Sequence, residues 1–92
     1  MSERVLHLEI RGRVQGVYYR ASMVEQATAL GVKGWVRNRP DGSVQAMIAG
    51  EEAVLQTLIE WAKVGPADAV VREVVVSEGE GFFEIFEQRQ TG

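Results

Sequence analysis

The chain has 92 residues, 46% of them apolar and 25% charged, and ten Lys and Arg against thirteen Asp and Glu leave a formal charge of −3. This balance excludes a disordered acidic tail, and the length suits one modest core, so a single domain over 1–92 is expected. With no Cys and one His, a disulfide framework, a thiolate or histidine metal cluster and a cysteine nucleophile are all excluded, and the acidity argues against a sequence-independent nucleic-acid binder.

The first residues lead into a short apolar stretch broken by His7 and Glu9, which is no signal-peptide core. No run approaches the roughly 18 apolar residues of a membrane span, so a soluble, cytoplasmic protein is expected. Leu6, Leu8 and Ile10 alternate with His7, Glu9 and Arg11, the period of a strand with one buried face over 5–11. His7 falls on the polar face and is expected to be exposed, without a metal or catalytic role. Residues 12–19 make a glycine-bearing turn. From about Arg20, Met23, Val24, Ala27 and Leu30 recur at helical spacing, and Gly31 suits the position just past the helix end. Ser22 and Glu25 have the spacing of a capping box, or else lie within the first turn.

A second strand is predicted over 32–38, followed by the turn Arg39-Pro40-Asp41-Gly42. There Pro40 presets φ, and Gly42 accepts the positive φ after Asp41. Val44, Ala46 and Ile48 alternate with Ser43, Gln45 and Met47 in a third strand over 43–49, completing a hairpin. Val54, Leu55, Leu58, Ile59 and Ala62 form one stripe of a helix over 51–63, with Glu51 and Glu52 at its positive end and Gly65-Pro66 beyond it. β-Branched residues predict a strand over 70–76, and Phe82 to Phe86 reads as a short last strand. The polar tail over 87–92 is expected to fray. Trp35 and Trp61 are expected in the core or on a sheet face.

The order βαββαβ, with a short fifth strand, predicts an α/β sandwich of the α+β type. Two helices, each with one apolar stripe, cover one face of a mostly antiparallel sheet in the ferredoxin-like arrangement. That architecture hosts many unrelated tasks, so function has to be read from local motifs.

One such motif is Gly12-Arg13-Val14-Gln15-Gly16-Val17-Tyr18-Tyr19-Arg20, between a strand and a helix. A glycine-containing turn there can gather backbone N–H groups into an anion nest, helped by the positive helix end and the Arg20 guanidinium. It lacks the Gly-Lys-Ser/Thr of a Walker loop and the spacing of a dinucleotide fingerprint. On spacing alone, a plain connection with a solvated arginine is the commoner outcome for such a stretch. The second motif is Gly34-Trp35-Val36-Arg37-Asn38, running into Pro40-Asp41-Gly42. Asn38 at a strand end either orients a water through its amide or makes an Asx-turn that steadies the hairpin.

Together these stretches resemble the two signature motifs of the acylphosphatase family, in the same order and separation, and the resemblance extends from about Val5 to Phe86. It implies the same ferredoxin-like fold and hydrolysis of the carboxyl-phosphate bond of a small-molecule acyl phosphate, with no metal or other cofactor. By the same likeness the N–H groups of Gln15, Gly16, Val17, Tyr18, Tyr19 and Arg20 cradle the phosphoryl oxygens. Arg20 matches the catalytic phosphate-binding arginine, and Asn38 matches the asparagine that positions the attacking water. A monomer suffices for all of this.

Three departures stand out. Tyr19 replaces the usual Phe, which requires a polar partner or solvent for its hydroxyl. Arg39 follows Asn38 where some members carry Thr, and adds charge near the site. In some members the C-terminal carboxylate approaches the arginine, a contact left open here. Arg11, Arg13 and Arg37 are expected to raise the local potential. The runner-up is a non-catalytic regulatory module of the same fold that binds phosphate or a small anion. An RNA reader is disfavoured, because the strands offer Trp35 but no aromatic run on a basic surface.

Overall fold

The computed structural model describes residues 3–92. Period-two alternation sets its sheet. Strand β1 (Glu3–Arg13) pairs antiparallel with β3 (Val44–Glu51) and with β4 (Val70–Glu78). Strand β2 (Lys33–Asn38) pairs antiparallel with β3 and parallel with β5 (Phe86–Gln88), giving the order β4-β1-β3-β2-β5. The register sets Leu6 opposite Ile48, Leu8 opposite Ala46, Ile10 opposite Val44 and Val36 opposite Ala46, so the apolar side chains share one face. A slip of one residue would turn all of them to water.

Helices α1 (Tyr19–Leu30) and α2 (Glu52–Ala62) cover that face with Tyr19, Met23 and Ala27 and with Leu55, Leu58, Ile59 and Ala62. Each buried Leu, Ile or Val contributes roughly 1.5–3 kcal/mol by leaving water. This is the ferredoxin-like sandwich that the element order predicts.

Helix α1 begins one residue before Arg20. Tyr18 is its N-cap, in the left-handed region at φ 64°, and no side chain caps the end. Ser22 lies inside the first turn, where its amide donates to the Tyr18 carbonyl at 3.0 Å, so Ser22 and Glu25 form no capping box. Burial of Tyr19 sets this start. Its ring lies 5.4 Å from that of Trp61, and its hydroxyl donates to the Ala62 carbonyl at 2.7 Å. At the other end Gly31 adopts φ 76°, and Val32 donates to the Ala27 carbonyl, closing the helix as expected.

The Tyr19 hydroxyl thus has the polar partner that the change from Phe requires, and burial pushes its pKa up. Tyr19→Phe leaves the Ala62 carbonyl unpaired and is expected to cost about 1 kcal/mol, or about 4–8 °C in melting temperature. Because the folded pKa is raised, the native state disfavours ionisation of this hydroxyl. Its contribution is therefore intact below the ordinary value near 10 and is lost as pH rises further. Urea midpoints of the two proteins should converge above about pH 10.

The last strand differs from expectation. Residues 82–85 are irregular, with Phe82 88% and Ile85 65% exposed, and pairing begins only at Phe86. After β4 the chain must reach the opposite edge of the sheet, and 79–85 makes that crossing. Gly79 donates to the Val5 carbonyl near one end of the segment, and Gly34 donates to the Ile85 carbonyl at the other. Nor does the tail fray. Arg89 donates to the Val36 carbonyl at 2.8 Å and Gly92 to the Asn38 carbonyl at 3.1 Å, continuing alongside β2. His7 is half-buried, because Gln45 packs on it with 2.7 Å between Gln45 Nε2 and His7 Nε2.

Candidate functional site

The connection between β1 and α1 is held by alternate burial. Val14, Val17 and Tyr19 are each at most 5% exposed and anchor it in the core, while Gly16 and Tyr18 face out. Both outward residues have positive φ, 76° at Gly16 and 64° at Tyr18, and they fold the chain into a tight loop before the helix. Among the described residues, no amide N–H of 15–21 donates to another protein group; the first internal donor is Ser22. A run of unpaired amides at a helix N-terminus is a ready anion site.

A cleft of about 460 Å³ opens there, lined by Val14, Gly16, Tyr18, Tyr19, Arg20, Ala21, Asn38 and Gln88. It brings together Arg20 of the first motif and Asn38 of the second, which lie 18 residues apart in sequence. The Gln15 side chain staples the loop to the hairpin, since its Nε2 donates at 2.8 Å to both the Arg39 and Ser43 carbonyls. Arg20, half-buried, donates from Nη1 to the Arg89 carbonyl at 3.0 Å. This bond fixes one terminal nitrogen of the guanidinium and leaves its other N–H groups free.

Asn38 ends β2 on the helix-covered face, and its carboxamide has no hydrogen-bond partner among the described residues. The Asx-turn of this hairpin belongs to Asp41, whose Oδ1 accepts from the Ser43 amide at 2.9 Å and the Ser43 hydroxyl at 2.6 Å. Those two bonds hold the Asp41 carboxyl below the usual carboxylate range. The hairpin is steadied without Asn38.

Other charged residues lie elsewhere. Arg37 points to the open face of the sheet, 5.1 Å over the Trp35 ring, with Nε donating to Gln45 Oε1 at 2.8 Å. Arg11 pairs with Glu9 at 2.7 Å. Neither lines the cleft, and Arg13 does not either, so the expected field from these three is not focused there by contact. Arg39 turns to the tail, donating from Nη1 to the Gly92 carbonyl at 2.6 Å, and so also leaves the cleft lining to others. Sequence reasoning missed Gln88 and the Arg89 carbonyl, because a backbone contact across 69 residues leaves no side-chain signal.

A family model described as Acylphosphatase matches residues 6–87. An acylphosphatase of Thiobacillus denitrificans is 54% identical over 86 residues, spanning 94% of this chain and 97% of that one. The structure of an acylphosphatase from Coxiella burnetii superposes with a TM-score of 0.91 at 34% identity, covering 95% of this chain and 93% of that one. That from Bacillus subtilis gives 0.89 at 30% identity, covering 96% and 99%. A family model that matches most of the chain, and relatives that agree with it in sequence and fold over nearly their whole length, place the chain in the acylphosphatase family.

Proposed function

We propose that Arg20 and the amide N–H groups of Gln15, Gly16, Val17, Tyr18, Tyr19 and Arg20 hold the phosphoryl group of an acyl phosphate, and that Asn38 positions the water that attacks it. One observation carries this reading: the amides of 15–20 lack internal partners, and Gly16, Tyr18, Tyr19 and Arg20 of that run line the same cleft as an unpaired Asn38. As an acylphosphatase the chain hydrolyses the carboxyl-phosphate bond, releasing a carboxylate and inorganic phosphate.

The chemistry needs little more. A carboxylate is a good leaving group and departs without protonation, so the protein has chiefly to position the reactants and stabilise charge on the equatorial oxygens. The amides and the Arg20 guanidinium supply that stabilisation. The Asn38 carboxamide oxygen can accept a hydrogen bond from the water while its NH2 donates to a phosphoryl oxygen, aiming the water's lone pair at phosphorus. Among the described residues no carboxylate or imidazole lines the cleft, and the buried Tyr19 hydroxyl is committed to the Ala62 carbonyl. The water's proton therefore passes to a phosphoryl oxygen of the substrate itself.

Asn38→Ala is expected to lower kcat by about 10²–10³ while phosphate still raises the melting temperature as in the wild type. Turnover of acetyl phosphate and a thermal-shift titration with inorganic phosphate check the two halves. Unchanged kcat would remove Asn38 from the mechanism. Phosphate-dependent stabilisation of the wild type with no turnover would favour the regulatory module instead.

Metal-independent turnover, a monomer, a single domain over 1–92 and a cytoplasmic location belong to the same proposal. Assays with and without chelator, and sedimentation at working concentration, test the first two.

A further inference from the structure

Tyr18 stands out among the cleft residues. It is the one non-glycine with positive φ among the described residues, where seven glycines take the others. Side chains seldom adopt this region, and aromatic ones less than Asn or Asp. Nor does core packing account for the ring, which is 82% exposed. Backbone conformation and exposure would both be satisfied by glycine. A large aromatic ring at this position faces outward, and what it borders is the cleft that holds Arg20 and Asn38.

The geometry restricts what the ring can meet. With the phosphoryl group on the loop amides and Arg20, the acyl group has to extend toward the mouth of the cleft. The other large apolar side chains of the lining, Val14 and Tyr19, are 1% exposed and unavailable to it. The remaining outward lining offers Ala21, Gln88 and the glycine at 16, none of which presents a broad apolar face. Tyr18 does, and a flat ring stacks on such a face better than a methyl group.

We propose that Tyr18 forms an acyl-group subsite, so that this enzyme favours acyl phosphates with an aromatic acyl group. The proposal rests on the reading of the cleft as the site of acyl phosphate hydrolysis. Tyr18 also contributes an amide to the loop, so the informative quantity is a ratio. Damage to the loop would slow all substrates alike, whereas loss of a stacking surface would slow only the aromatic one.

The test compares kcat/KM for benzoyl phosphate and acetyl phosphate in the wild type, Tyr18→Asn and Tyr18→Phe. Asn tolerates the left-handed region while removing the ring, and Phe keeps the ring without the hydroxyl. The benzoyl-to-acetyl ratio is expected to fall about 3- to 10-fold in Tyr18→Asn and to stay at the wild-type value in Tyr18→Phe. An unchanged ratio in Tyr18→Asn, with both substrates turned over, overturns the subsite and leaves the hydrolase reading standing. A wild type that hydrolyses neither substrate overturns both.

Discussion

Arg20→Ala is expected to lower kcat/KM for acetyl phosphate by about 10³-fold or more, since it removes a charged bidentate donor from a site that works by charge stabilisation. In the proposed site Arg20, unlike Asn38, would meet the phosphoryl group before as well as during the reaction. Phosphate affinity is therefore expected to fall together with kcat, and the thermal shift induced by phosphate should shrink. The fold should persist, because the side chain is only half-buried and its internal bond is a single contact with the Arg89 carbonyl at 3.0 Å. Surface changes of this kind mostly stay within about 0.5 kcal/mol.

Arg20→Lys sharpens the point. An ammonium group carries the same charge but cannot reproduce the planar fork that reaches the Arg89 carbonyl and an anion together. It should recover only a small part of the loss. Steady-state kinetics on the three proteins, with circular dichroism to confirm folding, decides the matter. Near-wild-type kcat/KM in Arg20→Ala would remove the arginine from the site.

The largest effect on stability is expected at Gly34. Its φ is 138°, and a Cβ built there would overlap the carbonyl oxygen of Met47 on β3. The obstacle is backbone in an interior strand of the sheet, so no rotamer change can relieve it. Gly34→Ala is expected to destabilise by about 3 kcal/mol or more, a large share of the roughly 5–15 kcal/mol that holds a domain together. Gly42 supplies the control. It too has positive φ, 94°, but a Cβ there meets nothing within 4 Å, so Gly42→Ala should cost only the backbone strain of about 1–2 kcal/mol.

Urea unfolding of the two variants separates steric overlap from conformational preference, and equal midpoints would refute the argument. Activity should fall in Gly34→Ala beyond its loss of folded protein. The Gly34 amide donates to Ile85 just before β5, and the tail beyond β5 supplies the Arg89 carbonyl that holds Arg20.

How much of this the sequence reveals depends on the range of the interaction. The strands and helices with strong periodicity, such as Leu6, Leu8 and Ile10 or Leu55, Leu58 and Ile59, are read with end errors of one or two residues. Their burial pattern is written in neighbouring positions. Arg20 and Asn38 are legible through their motifs, and Tyr19 announces the need for a polar partner. The start of α1 is less legible, because Tyr19 is fixed by Trp61 and Ala62, which lie 42 and 43 residues away. Phe82 and Ile85 look like strand residues yet remain exposed, since a connection across a sheet can carry apolar residues without pairing.

By itself, then, the amino-acid order determined the element types and the sandwich they build, because both follow from spacing along a few turns of chain, while Arg20 and Asn38 were singled out by the resemblance of their motifs to a family. The tertiary structure decided which carbonyl holds Arg20 and that Arg39 binds the tail while Arg37 lies over Trp35. It also decided that Asp41 rather than Asn38 makes the turn, and that 89–92 is tied down beside β2. Those outcomes depend on backbone groups and on partners far apart in sequence, whose meeting is set by sheet register and leaves no local pattern to read.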